Sequence, residues 1–227
     1  MTSSNRFALP PSGRPRMKIG ILGSGSVGQT LGRALVEKGH SVRIGTRDPL
    51  KLESWRAEVG AAASVGSTAE CVQWAELVVL AVHGTAVEAV LESAGVPHFS
   101  GKIVVDVSDP LDFSGGRPGL FVGTTDSLGE RVQRWLPDAK VVKALNTVLA
   151  AVMVNPGLTG GDPDMFIAGN DADAKSVVGG LLESFGWPVI DMGDIESARW
   201  LEALSLLWVV HSHRTGKIHH AFKLVGK

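Results

Sequence analysis

Six residues, Gly23-Ser24-Gly25-Ser26-Val27-Gly28, set three glycines as GxGxxG between an apolar run and a helical pattern. In that setting each glycine has a task. Gly23 permits a tight turn, Gly25 lets the backbone approach a pyrophosphate, and Gly28 lets helix and strand pack closely. The free N–H groups and positive dipole end of the next helix would then hold phosphate oxygens. The second apolar run ends in Ile44-Gly45-Thr46-Arg47-Asp48. An NAD site usually has an acid at the end of that strand, to accept from the ribose hydroxyls. Here Thr46 offers a hydroxyl and Arg47 a planar cation, which suit the 2′-phosphate of NADP(H).

Other polar residues follow apolar runs. His83, Ser108 and Asn146 each stand just after one. Ligands on open parallel sheets lie at the carboxyl ends of the strands, so these three are candidates for the same crevice. Ser108 is equally readable as a loop cap, and Asp109-Pro110 reads as a turn rather than a catalytic acid. His211, His213, His219 and His220 invite a metal reading, but no cysteine accompanies them and His211 and His213 fall on different helix faces. No nucleophile–base pair, HExxH or Walker loop is present, which removes several hydrolase classes. Hydride transfer between two stacked rings needs none of these. It needs positioning and exclusion of water.

The elements that must position these residues alternate along the chain. The pattern predicts strands at Met17–Leu22, Val42–Gly45, Ala61–Val65, Leu77–Val82, Ile103–Val107 and Val141–Leu145. Helices are predicted at Val27–Lys38, Thr68–Ala75, Ala86–Ser93 and Ser127–Trp135, with a turn at Asp48-Pro49. Further strands are expected at Met165–Ala168 and Pro188–Asp191, around a helix over Ala172–Phe185. A last helix over Ile195–His213 would be capped by Asp194. This is an α/β chain with the doubly wound parallel sheet of a Rossmann fold. The expected division is a disordered tail over 1–16, a dinucleotide-binding domain over 17–147, and a small α/β extension over 148–227 ending in a long helix.

Bulk properties suit this. The chain has 227 residues, 44% hydrophobic and 20% charged, with a formal net charge of -1. Nothing in that balance favours nucleic acid or an acidic membrane surface, and Leu201–Val210 is too short to span a bilayer. The single cysteine, Cys71, fits a reducing cytoplasm. Trp187, Trp200 and Trp208 read as core or subunit interface. The last helix, with Leu201, Leu204, Leu207 and Trp208, is too apolar to lie bare. It predicts a homodimer, or packing of this helix on its own sheet.

Together, Gly23 to Gly28, Thr46-Arg47, Val79-Leu80-Ala81-Val82-His83 and Lys143-Ala144-Leu145-Asn146-Thr147 make the chain resemble the NADPH:deazaflavin (coenzyme F420) oxidoreductase family. The same motifs are similar to the cytoplasmic oxidoreductase domain of the six-transmembrane metalloreductases. The resemblance implies NADP(H) at the glycine loop, with the nicotinamide stacked on a deazaflavin or flavin. It implies that Ser24, Ser26 and Val27 contact the phosphates. It also implies that Ala81, Val82 and His83 line the nicotinamide pocket with Asn146 nearby, His83 and Asn146 being the catalytic candidates. His83 stands where many deazaflavin enzymes have proline. Two other readings stay open: a reductase of a small carbonyl or imine, and a non-catalytic NADPH sensor.

Overall fold

The computed structural model describes residues 16–226. All but Arg16 of the tail expected over 1–16 therefore lies outside the described residues. Strand β1 (Lys18–Leu22) runs through the glycine loop into α1 (Ser26–Glu37), and β2 (Ser41–Gly45) follows. The 3.6-residue period of α1 turns Leu31 and Leu35 fully into the core, with Val27 half-buried on the same side.

At Asp48-Pro49 the chain does more than turn. A short 3-10 segment leads into a helix that the pattern did not predict, α2 (Glu53–Val59). Leu52 and Trp55 anchor it in the core. The Trp55 ring fills the space over Gly32, where a Cβ would lie 2.7 Å from it, and its indole N–H donates to the Gln29 carbonyl at 3.0 Å. Gly32 thus makes room for Trp55 as well as for the strand below.

The alternation then continues through β3 (Ala63–Gly66), α3 (Thr68–Trp74), β4 (Leu77–Leu80), α4 (Val87–Ala94) and β5 (Ile103–Asp106). A loop with Gly115, Gly116 and Pro118 then joins a small hairpin of β6 (Leu111–Asp112) and β7 (Gly119–Leu120). After it come α5 (Leu128–Trp135), β8 (Lys140–Lys143), α6 (Ala150–Val154), β9 (Met165–Gly169), α7 (Ala172–Ser184), β10 (Val189–Asp191) and α8 (Ala198–Thr215). Asp194 does not cap the last helix. A 3-10 turn over Ile195–Ser197 precedes α8, and the Asp194 side chain makes no cap bond to it.

Eight strands form one sheet in the order β10-β9-β8-β5-β4-β1-β2-β3. The strands from β8 to β3 are parallel, whereas β9 runs antiparallel to β8 and carries β10 parallel to itself. Order reverses at β1, which pairs with both β2 and β4. Alternate residues feed two cores, as a sheet covered on both faces requires. Leu77 and Val79 join the face covered by α1, α2, α6 and α7. Val78 and Leu80 join the face covered by α3, α4 and α5. Among the described residues no helix is long and apolar enough to cross a membrane.

Candidate active site

The glycine loop sits at the point where strand order reverses, the place at which open sheets bind ligands. Gly23 has φ +125°, a conformation that side chains rarely adopt, and a Cβ there would overlap the Ala81 carbonyl oxygen. A Cβ on Gly28 would overlap the Gly23 carbonyl oxygen. Gly25 differs: nothing lies within 4 Å of where its Cβ would be. Two glycines are therefore demanded by the fold, while the third borders open space. Gly25 is also the N-cap of α1, where no side chain accepts from the first N–H groups and the first turn carries no acid. That leaves donors and a positive dipole end for an anion.

Beside the loop, Thr46 Oγ1 donates to Ser24 Oγ at 3.2 Å and accepts from the Asp48 N–H at 3.2 Å. Thr46 therefore ties the end of β2 to the glycine loop. Arg47 is exposed and makes no ion pair or hydrogen bond with any described residue. Ser24 and Val27 are half-buried and Ser26 is exposed on the outer rim.

From the glycine loop the site runs along the carboxyl edge of the sheet. Ala81 and Val82 touch Gly23. His83 is exposed, with Nδ1 2.9 Å from Thr85 Oγ1. Its neighbour Gly84 lies so close to the Asp109 carbonyl oxygen that a Cβ would overlap it. Asn146 then bonds the far side of Asp109: Nδ2 donates to Asp109 Oδ1 at 2.9 Å and to the Leu201 carbonyl at 3.0 Å. These two acceptors fix the carboxamide and leave Asn146 Oδ1 buried without a donor among the described residues. The preceding residue, Leu145, has φ +63°, a left-handed conformation costing about 1 kcal/mol or more in a non-glycine residue. The turn that presents Asn146 is thus held against its local preference.

Asp109, read from sequence as part of a turn, is a member of this network. Ser205 of α8 donates to its Oδ2 at 2.8 Å. Burial pushes the Asp109 carboxyl up to about 7, against the opposing pull of Lys143, Asn146 and Ser205. Ser108 faces inward: it is 3% exposed and its hydroxyl donates to Asp106 at 2.6 Å.

Beneath lies an ion triad that the sequence reading missed. Lys143, wholly buried, meets Asp106 at 3.0 Å and Glu202 at 3.0 Å. Burial alone would depress the Lys143 ammonium, but Asp106 and Glu202 hold it charged, above the ordinary lysine range. Glu202 also accepts from the Leu128 and Gly129 N–H groups at 2.9 Å each, capping α5 from α8. A lysine inside an apolar strand and a lone glutamate inside an apolar helix were the available signals. The triad fixes the floor of the site.

Comparison with known proteins identifies the family. Residues 18–110 match the family model described as NADP oxidoreductase, coenzyme F420-dependent. The metalloreductase STEAP3 of Rattus norvegicus is 31% identical over 204 residues, 90% of this chain. The chain spans only 39% of that protein and 36% of the human metalloreductase STEAP2. Among solved structures, a hypothetical protein of Sinorhizobium meliloti is 30% identical, with a TM-score of 0.66 and coverage of 80% of this chain and 88% of that one. A protein of Arthrobacter sp. FB24, provisionally named an F420-dependent NADP-reductase, superposes with a TM-score of 0.88. It is 45% identical, over 92% of this chain and 100% of that one. By sequence and by fold, this chain belongs to the coenzyme F420-dependent NADP oxidoreductase family.

Proposed function

We propose that this chain transfers hydride between NADP(H) and a deazaflavin of the coenzyme F420 type. The observation that carries the reading is continuity. Gly23 touches Ala81 and Val82, Gly84 touches Asp109, and Asp109 bonds Asn146, in one line along the carboxyl edge of the sheet. In this reading Gly23, Ser24, Gly25, Ser26, Val27 and Gly28 bind the pyrophosphate, and Thr46 and Arg47 face the 2′-phosphate. Ala81, Val82 and His83 flank the nicotinamide, with Asn146 at its inner end, whereas Ser108, turned inward to Asp106, supports the floor beneath it. The open space at Gly25 and an Arg47 with no partner among the described residues fit such a ligand.

When bound, NADPH supplies a hydride from nicotinamide C4, and the facing ring accepts it. The chain's own residues bind, orient and exclude water, and none of them need form a covalent bond. His83 and Asn146 act by position.

Flavin is the second acceptor to consider, because His83 is the metalloreductase-like residue at a position where many deazaflavin enzymes have proline. Anaerobic stopped-flow oxidation of NADPH with deazaflavin, with flavin, with a small imine, and with no acceptor separates the readings. Fast oxidation with deazaflavin is the expected result. Oxidation with the imine alone would favour a small-substrate reductase, and binding of NADPH with no turnover would favour a sensor. His83→Ala and Asn146→Ala should each slow transfer while leaving NADPH bound.

A further inference from the structure

Ser205 Oγ lies between two acceptors and carries one hydrogen. It is 2.8 Å from Asp109 Oδ2 and 3.0 Å from the Asn146 carbonyl oxygen. Ser205 and Asn146 are both buried. With Asp109 ionised, one of the two acceptors goes without a hydrogen, a defect that is costly away from water. We propose that Asp109 is held as a neutral acid with its proton on Oδ2, and that this proton positions the Asn146 turn for hydride transfer. The second half of the proposal rests on the functional reading given above.

The proton completes a ring. Asp109 Oδ2–H donates to Ser205 Oγ, Ser205 O–H donates to the Asn146 carbonyl, and Asn146 Nδ2 donates to Asp109 Oδ1 at 2.9 Å. Each hydrogen then has one acceptor. The second Nδ2 hydrogen goes to the Leu201 carbonyl, so turning the carboxamide over would set its oxygen against two acceptors.

The surrounding charge asks for the same. Asp106 and Glu202 already share Lys143, at 3.0 Å each. Asp106 also accepts from the Ser108 N–H and hydroxyl, and Glu202 from the Leu128 and Gly129 N–H groups. Asp109 has only Asn146 and Ser205 as side-chain partners among the described residues. A third negative charge around one buried cation would lack a counter-charge. The remaining titratable neighbour, His83, is exposed on the turn after β4. Burial correspondingly pushes the Asp109 carboxyl up to about 7.

What the ring supplies is position. It grips Asn146 by side chain and carbonyl, just after Leu145 with its φ of +63°. The Asp109 carbonyl meanwhile abuts Gly84, next to His83. Loss of the proton leaves the strained turn held by fewer bonds, at the end of the site assigned to the nicotinamide, and leaves the glycine loop alone. Asp109 acts through Asn146 and is a positioning residue.

Single-turnover oxidation of NADPH by a deazaflavin, followed between pH 6 and pH 8, tests the proposal. The wild-type rate should fall about tenfold as the proton is lost, while the Kd for NADPH changes by less than about twofold. Asp109→Asn rebuilds the neutral ring, its amide donating to Ser205, and should keep at pH 8 the rate that wild type has at pH 6. Ser205→Ala opens the ring and should be slow at both. A second measurement needs no acceptor. In carbon-labelled free protein the Asp109 carboxyl signal should titrate between pH 6 and pH 8, and the Asn146 side-chain amide signals should move with it in wild type but not in Asp109→Asn. An Asp109 that is already ionised at pH 5 would overturn the proposal. So would a fall in rate that Asp109→Asn retains, which would belong to His83 or the substrates, or an Asp109→Asn that is slow at both pH values. If no acceptor is reduced at any pH while Asp109 and Asn146 still titrate together, the hydride-transfer reading fails and the neutral acid stands.

Discussion

Asn146 Nδ2 donates to Asp109 Oδ1 at 2.9 Å, and this bond joins the turn after β8 to the turn after β5. Ser205 Oγ of α8 lies 2.8 Å from the other Asp109 oxygen and 3.0 Å from the Asn146 carbonyl, its one hydrogen shared between them. Three elements that are remote in sequence thus converge on one partly buried carboxyl whose pKa is raised to about 7.

That displacement makes stability depend on pH in a definite direction. In the folded chain Asp109 keeps its proton well above the 3.8 of a free carboxyl. The stability gained from the protonated form is complete below about pH 4 and is lost as pH rises through about 7. Asp109→Asn keeps a neutral group there at every pH. Relative to wild type it should gain about 4 kcal/mol between pH 4 and pH 8. Urea denaturation at both pH values checks this. Parallel curves for the two proteins would remove Asp109 as the source.

Arg47 should set the preference between dinucleotides. A guanidinium on a 2′-phosphate is worth about 1.5–3 kcal/mol, so Arg47→Ala should weaken NADPH roughly ten- to a hundredfold. NADH lacks that phosphate and should change little. Thr46→Val should act in the same direction but less. Because Thr46 also ties Ser24 to β2, its loss should reach NADH too. Dissociation constants for both dinucleotides decide the matter. An equal loss of NADPH and NADH in Arg47→Ala would make Arg47 structural.

The glycines of the loop should separate by experiment. Gly28→Ala places a methyl against the Gly23 carbonyl, so it should lower the melting temperature even without cofactor. Gly25→Ala meets open space. It should melt like the wild type and still lose NADPH affinity, because its methyl enters the space assigned to the pyrophosphate. Thermal melts and titrations of the two variants give the comparison, and an unstable Gly25→Ala would contradict it.

Lys143→Met removes the cation shared by Asp106 and Glu202. Two buried carboxylates would then face each other without a counter-charge, a change that costs about 3–5 kcal/mol. Repulsion from Asp106 would also strain the bonds that Glu202 accepts from α5, so the contact between α8 and α5 should loosen first. Hydrogen exchange at Leu128 and Gly129, whose N–H groups Glu202 accepts, should accelerate more than exchange in β1.

What could be read from the chain follows the reach of each signal. GxGxxG and the alternating apolar runs are local, and β1 to β5 appeared where their periods placed them. Helix α2 escaped because Asp48-Pro49 reads as a terminus, and its anchor, Trp55, meets Gly32 only in three dimensions. The antiparallel entry of β9 depends on how residues 144–164 return to the sheet, and no period encodes a direction. Lys143 and Glu202 are 59 positions apart, and Asp109 and Ser205 are 96 apart. Each looked like an isolated polar residue until the fold supplied its partner.

Lys143 has no solvent-exposed side-chain surface, whereas Arg47 stands in water. Mobile ions gather around exposed charges within roughly 10 Å at 0.1 M salt but cannot enter a sealed triad. Added salt should therefore loosen the grip on the 2′-phosphate while the floor of the site stays intact. If Arg47 holds that phosphate, ionic strength should act as a dial on dinucleotide choice that leaves the architecture untouched.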